Sequence, residues 1–302
     1  MSPPRYQGKD VPRIKGRVLF DEPLKPYTSF RVGGPADLLA LPEDEDGLCA
    51  LVEWARAGGI PLTLIGGGYN LLVSDKGVRG LVVKLGRGFD RISVEGAVVT
   101  AGAAARLPAL VEAATARGLA GLEGLTGVPG TVGGAVFMNA GTRYGYVSNS
   151  LRFVRAVDQA GNRVRVEADD LGLGYRESRL NEMGLIVTEA VFGLCEGSAE
   201  DIRCRCEELL ACRKLQPGAV GTAGSTFRNP PGGYAGEMIE EAGGKGLRVG
   251  GAEVSAIHAN FFFNVGDASA ADIRALMIKV QDIVRERFEV ELQPEVRIIG
   301  EW

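Results

Sequence analysis

Two glycine-rich stretches carry the spacing that most invites chemistry. Gly127 to Gly141 reads GVPGTVGGAVFMNAG, five glycines in fifteen residues, and Ile65 to Asp75 reads IGGGYNLLVSD, three glycines after the strand-like PLTLI. Glycine inside a helix or strand costs about 0.5–1 kcal/mol relative to alanine, so these runs point to positive φ or to backbone that approaches another object too closely for a Cβ. The run AVFMNA after Gly133 and Gly134 reads as a short helix whose first N–H groups face back over the glycine turn, toward an anion such as a pyrophosphate. For either stretch alone, a tight turn between packed elements is the alternative. Two such turns, each after a strand-like run, suggest one extended phosphate-bearing ligand held at two places. No G-x-G-x-x-G opens a helix, and Gly244-Lys245-Gly246 lacks both the Ser/Thr and the upstream glycine of a P-loop.

Other reactive side chains point elsewhere. The five cysteines are Cys49, Cys195, Cys204, Cys206 and Cys212, an odd number that suits reduced thiols. Three fall in SAEDIRCRCEELLACRKL, a helix begun by Ser198 with Asp201 three residues on. Cys204 and Cys206 would point to nearly opposite sides, a poor chelating pair, and no metal is expected. The chain of 302 residues is 45% hydrophobic and 24% charged, with net charge −4, ordinary for a soluble enzyme and giving no general attraction to nucleic acid. No apolar run is long enough for a bilayer, and MSPPRYQGKDVPRIKGRV lacks the apolar core of a signal peptide. The expectation is a cytoplasmic protein with a flexible arm over residues 1–18 and no evident obligate protein partner.

The elements that must position these residues alternate in the first half. DEDGLCALVEWARAGG and RLPALVEAATARG read as helices, PLTLI and GLVVKL as strands, and ISVEGAVVTAG as a hairpin. RFVRAVDQAGNRVRVEA is two alternating strands about an Ala-Gly-Asn turn. LIVTEAVFGL is another strand, and the cysteine-bearing helix follows. ASAADIRALMIKVQDIVRERF is a final amphipathic helix leading into VELQPEVRIIG. A boundary is expected near residue 215.

Seven segments in order, TSFRVGGPAD, IGGGYNLLVSD, GVPGTVGGAVFMNAG, YRESRL, AGSTFRNP, GGAEVSAIHANFFFN and LQPEVRIIG, resemble the UDP-N-acetylenolpyruvoylglucosamine reductases, FAD enzymes of bacterial peptidoglycan precursor synthesis. The resemblance covers the chain from Thr28 to its end. It implies an α+β fold: a vanillyl-alcohol-oxidase-type FAD-binding domain over residues 19–214, in two subdomains split near 86, and a smaller α+β substrate-binding domain over 215–302. Flavin contacts are implied at Arg31, Gly33 and Gly34, and in the first turn at Gly66, Gly67, Gly68, Tyr69, Asn70 and Leu71. In the second turn they are implied at Gly127, Pro129, Gly130, Gly133, Gly134, Asn139, Ala140 and Gly141. The one histidine, His258, lies beside neither turn, so the FAD is expected to be non-covalent. Few residues separate Tyr175 from Ser198, which resembles the shorter class without an extra substrate-covering loop. Tyr69 stands where the family usually has serine, and Thr142 to Tyr146 is bulkier than usual.

The family reaction implies reduction of an enolpyruvyl ether to a lactyl ether, with NADPH as hydride donor to FAD. Hydride addition at the terminal CH2 pushes charge onto the carbon beside a carboxylate, which calls for a fixed, bidentate cation. By resemblance that cation is Arg176, the proton donor is Ser225, and Glu295 acts in protonated form or through a water. Tyr175, Arg228, Asn229, Lys245, His258 and Arg297 fall at or beside nucleotide-sugar positions. The rivals are an FAD-linked oxidase of the same fold and a non-catalytic flavin or nucleotide-sugar binding protein.

Overall fold

The computed structural model describes Tyr6, residues 11–214, 216–218 and 220–302. The expected border at Leu215 and residues 1–5 and 7–10 of the expected N-terminal arm lie outside the described residues, and the last residues of that arm, from Gly16, stand in the strand Gly16–Pro23 instead of a flexible segment. The chain forms two compact units. The first takes Leu38–Gly67, Gly80–Arg213 and the N-terminal residues up to Phe20; the second takes Asp21–Asp37, Gly68–Arg79 and Lys214–Trp302. Two segments expected within residues 19–214 thus cluster with the C-terminal residues. Their apolar side chains explain why: Phe30, Val32 and Leu72 are buried among Phe227, Phe262, Leu276 and Val280.

The helices start where local chemistry favours a start. In α1, Glu45–Ala57, the Asp44 side chain accepts from Gly47 N at 2.9 Å, and Glu45 and Asp46 in the first turn suit the positive end of the helix dipole. Its buried residues Leu48, Leu51, Val52 and Ala55 recur at helical spacing. In α2, Leu107–Thr115, a proline occupies the first turn, where its missing N–H has no helical partner to lose. A six-residue α3, Val132–Phe137, lies in the second glycine stretch. Ser198 Oγ accepts from Asp201 N at 3.3 Å to open α4, Ala199–Lys214.

The first unit holds a five-stranded antiparallel sheet. Its spatial order is Arg163–Glu167, Leu151–Val157, Ile186–Gly193, Val98–Gly102 and Ile92–Glu95. The turn between Leu151–Val157 and Arg163–Glu167 closes on Asp158, whose Oδ1 accepts from Ala160 N and Asn162 N, each at 2.8 Å. Val99 and Phe192 of this sheet and Leu107, Leu110, Val132 and Val136 of the helices are fully buried in one core, each contributing about 1.5–3 kcal/mol. A second core gathers Leu38, Leu48, Leu51, Leu81 and Val83, and Leu85 packs against both. There Leu62–Leu64 runs parallel to Leu81–Val83.

In the second unit α5, Ala235–Glu241, and α6, Ala270–Phe288, pack with a small antiparallel sheet that includes Ala252–Val254 and Phe262–Asn264. Phe227 and Phe262 meet edge to face, centroids 5.8 Å apart at 78°. Ser269 and Asp272 form a reciprocal cap on α6, and the Asp75 carboxylate accepts from Ala270 N at 2.8 Å and Ala271 N at 2.9 Å. Strand Leu71–Val73 pairs in parallel with Arg297–Ile299. Parallel partners need a crossover, here more than two hundred residues of intervening chain.

Candidate functional site

In the first unit the two glycine stretches meet. A methyl built on Gly66 would lie 2.9 Å from Thr131 Oγ1 and 3.8 Å from Gly134 Cα. Helix α3 begins at Val132, so Gly133 and Gly134 lie inside its first turn instead of preceding it. Its first N–H groups are also engaged within the protein: Val132 N donates to Ala105 O and Gly133 N to Ala103 O, each at 2.9 Å. Gly133 is glycine because a Cβ there would sit 2.9 Å from Ala103 Cβ. A methyl on Gly134 would meet only Thr131 Oγ1 within 4 Å, at 3.4 Å, leaving open ground beside bare backbone. Such a floor fits an extended pyrophosphate that main chain must approach closely.

Lys84 closes this region. Its Nζ donates to Gly66 O at 2.9 Å, and burial pushes its pKa below the usual lysine value. Nothing in the sequence reading singled it out, although a lysine closing the apolar run GLVVKL is a visible signal.

Tyr175 and Arg176 form the tip of a turn in which Gly174 N donates to Glu177 O at 3.1 Å. Arg176 has φ of 59°, the left-handed region a side chain seldom adopts. Three hydrogen bonds to the second glycine stretch hold this turn: Asn139 Nδ2 to Gly174 O at 2.9 Å, Arg176 Nη1 to Gly141 O at 2.8 Å, and Ser178 Oγ to Phe137 O at 2.7 Å. Asn139 is itself buried, and its Oδ1 accepts from Ser148 N. At the other end of the same stretch Arg213 Nη1 donates to Gly127 O at 3.0 Å. Burial, and then the neighbouring Arg176 guanidinium, push the Arg213 pKa down. Two like charges that disfavour one another in partly buried surroundings suit an anion. Arg213 escaped the sequence reading because it closes a charged, largely exposed helix.

The second unit gathers Ser225 and Glu295. Ser225 bridges to Phe261, Thr226 O accepts from Glu295 N at 2.8 Å, and Arg228 N donates to Gln293 O at 2.9 Å. Two residues beyond Glu295, the chain enters the strand that pairs Arg297 with Leu71. Asn229 Oδ1 accepts from Ala235 N at 3.1 Å at the start of α5, and Lys245 pairs with Glu240 at 2.6 Å. His258 Nδ1 accepts from Asn260 N at 3.2 Å. Gly68 and Tyr69 also lie in this unit, so the first glycine turn divides between the two. With φ of 73°, Gly68 presses on Tyr27, where a Cβ would stand 1.9 Å from the carbonyl oxygen, while Tyr69 is exposed. Arg31, Gly33 and Gly34 lie here too; Gly34 N donates to Ser74 O at 2.8 Å.

Residues 36–167 match the family described as FAD binding domain, and residues 216–299 match UDP-N-acetylenolpyruvoylglucosamine reductase, C-terminal domain. With the bare-backbone floor, this makes the chain an α+β flavoprotein with FAD as its cofactor. It is 46% identical over 292 residues to the UDP-N-acetylenolpyruvoylglucosamine reductase of Rubrobacter xylanophilus, covering 96% of this chain and 97% of that one. It is 44% identical to that of Desulforamulus reducens, covering 95% of each. The crystal structure of the Thermus caldophilus reductase superposes with a TM-score of 0.83 at 40% identity, covering 95% of this chain and 100% of that one. The chain belongs to the UDP-N-acetylenolpyruvoylglucosamine reductase family.

Proposed function

We propose that this flavoenzyme uses NADPH to reduce UDP-N-acetylglucosamine enolpyruvate to UDP-N-acetylmuramate, a step in peptidoglycan precursor synthesis in the cytoplasm. FAD, when bound, supplies the hydride it has taken from NADPH. The bare backbone at Gly66, Gly67 and Gly134 would hold it.

Arg176 faces the substrate carboxylate. As charge develops on the adjacent carbon, a planar guanidinium meets both carboxylate oxygens, which a point charge does not. The Ser225 hydroxyl gives its proton to that carbon. Serine is a poor acid in water, and it donates because the carbanion-like centre is more basic still. Glu295, held beside Ser225 through the Thr226 carbonyl, acts on the carboxylate or orients the hydroxyl. Arg228, Asn229, Lys245 and Arg297 serve the nucleotide diphosphate, and Tyr175 the sugar.

What carries this reading is the Arg176 turn. A charged residue is held in a disfavoured backbone conformation by three hydrogen bonds to one glycine-rich stretch, and such strain persists where a head group must be aimed. The test is anaerobic spectroscopy of the purified protein. NADPH should bleach the bound flavin, and UDP-N-acetylglucosamine enolpyruvate should restore its colour with formation of UDP-N-acetylmuramate. Colour returning with oxygen and not with the enolpyruvyl substrate would replace the reductase with an oxidase.

A further inference from the structure

Asn260 is 3% exposed, and its carboxamide lies against Phe227 as a neighbouring strand would. Its Oδ1 accepts from Phe227 N at 2.9 Å, and its Nδ2 donates to Phe227 O at 2.8 Å. The main chain adds Thr226 N to Asn260 O at 2.8 Å. With Glu295 N on Thr226 O and Arg228 N on Gln293 O from the other side, the segment from Ser225 to Arg228 is stitched along both edges. A buried carboxamide with both ends satisfied rigidifies what it binds.

Asn260 is itself held by the imidazole two residues earlier. Its N–H donates to His258 Nδ1 at 3.2 Å, which requires an unprotonated Nδ1 and puts the ring hydrogen on Nε2. Burial pushes the imidazole pKa below its usual 6.5, and Lys245 pushes the same way; its own backbone and Glu240 oppose. The Glu240 carboxylate is already paired with Lys245. Helix α5 meets the ring through Gly236, where a methyl would lie 2.9 Å from Cε1, and Phe261 covers it at a centroid distance of 4.9 Å. The remaining contacts of this turn are neutral, with Ile257 N and His258 N on Ser255 Oγ.

We propose that His258 is a positioning residue for the Ser225 segment: its Nδ1 holds Asn260, Asn260 holds Phe227, and protonation of the ring releases the hold. This rests on the reading of Ser225 as proton donor only insofar as activity reports it. The sign follows from the lowered pKa. The neutral ring and its hydrogen bond are fully present above pH 6.5 and are lost as pH falls through the folded-state value.

The chain has one histidine, so ring nitrogen NMR of the holoenzyme reads this group without assignment. The expected spectrum shows the Nε2–H form at pH 7.5, a midpoint below 6.5, and faster hydrogen exchange of the Asn260 amide as the ring protonates. An Nδ1–H form, or exchange indifferent to that titration, overturns the proposal whatever the enzyme's activity. In kinetics, dithionite-reduced holoenzyme is mixed anaerobically with UDP-N-acetylglucosamine enolpyruvate between pH 5 and 8. His258→Asn, whose Oδ1 replaces the acceptor and cannot be protonated there, should keep more of the rate at pH 7.5 than His258→Ala does and lose part of the acid-side decline. His258→Ala should be slower on the order of tenfold at pH 7.5 with little change in KM, the scale of a lost supporting hydrogen bond, and should converge on wild type as the wild-type ring protonates. Wild-type rates and pH profile in His258→Ala, or equal losses in both variants carried by KM, would make His258 a bystander or a substrate contact. If His258→Ala does not fold, His258→Asn and the wild-type spectrum decide. Wild-type enzyme that substrate never reoxidises sinks the reductase reading and leaves the NMR result standing on its own.

Discussion

Asn70 Nδ2 donates to the main-chain oxygen of Glu295 at 3.1 Å, across 225 residues of chain, and Asn70 O accepts from Arg297 N at 3.0 Å. One asparagine therefore grips both sides of the Glu295–Arg297 stretch. Asn70→Ala deletes the side-chain half of that grip and should cost about 1 kcal/mol, seen as a lower thermal midpoint by circular dichroism. Asn70→Asp should cost more, since it sets a carboxylate against a carbonyl. Melting curves that superimpose on wild type would mean the bond contributes nothing to stability.

Gly133 and Gly134 are adjacent, and alanine should separate their roles. Gly133→Ala drives a methyl into Ala103 and should destabilise the apoprotein by about 1–3 kcal/mol. Gly134→Ala makes only an ordinary contact with Thr131 Oγ1, so its apoprotein should match wild type or gain up to about 1 kcal/mol of helix propensity. FAD titration of the Gly134→Ala apoprotein should nonetheless show affinity weakened by about tenfold or more, about 1.4 kcal/mol. Unchanged FAD affinity would place the cofactor away from this backbone.

Arg176→Ala should slow reoxidation of the reduced flavin by substrate about a hundredfold or more, on the order of 3 kcal/mol. Arg176→Lys should recover only part of the loss. Alanine and lysine are both disfavoured at φ of 59°, so comparing them isolates the head group from the backbone. Full recovery by lysine would reduce the requirement to charge alone.

Ser225→Ala should leave flavin reduction by NADPH at nearly the wild-type rate and slow reoxidation by the enolpyruvyl substrate toward the upper part of about 10²–10⁴-fold. Ser225→Cys, a better acid of similar reach, should keep measurable turnover. Stopped-flow mixing without oxygen separates the two half-reactions. Reoxidation of Ser225→Ala at the wild-type rate would move the proton source to Glu295.

Elements governed by neighbours in sequence were legible before any coordinates. The apolar spacing of α1 and α6, the Ser198–Asp201 start of α4 and the Ala-Gly-Asn turn all appear where expected. Glycine density located the floor of the site but not its logic, because the sequence does not say whether a Cβ would strike a ligand or Ala103. The roles of Lys84 and Asn260 stayed hidden for a related reason: a polar residue in an apolar stretch is a visible signal, but it looks the same whether it faces water or a buried carbonyl. The grouping of residues 21–37 and 68–79 with the C-terminal part was hidden because hydrophobic periodicity reports burial and not the partner.

That grouping governs how the protein must be made. Among the described residues, strand Leu71–Val73 finds its parallel partner in Arg297–Ile299, more than two hundred residues later in the chain. A ribosome adding about 5–20 residues per second takes roughly 11–45 s to traverse the 225 residues between Asn70 and Glu295. Until Phe227 and the later residues of their core have been made, Phe30, Val32 and Leu72, all buried in the finished molecule, have no core to enter. The nascent chain carries exposed apolar surface on segments already outside the exit tunnel, a hazard for aggregation and a natural target for holdase chaperones. A chain terminated after Lys214, before Phe227 and the rest of that core, should keep the first unit and leave these early segments uncovered. Limited proteolysis of such a truncation should cut within residues 21–37 and 68–79 before it touches the five-stranded sheet.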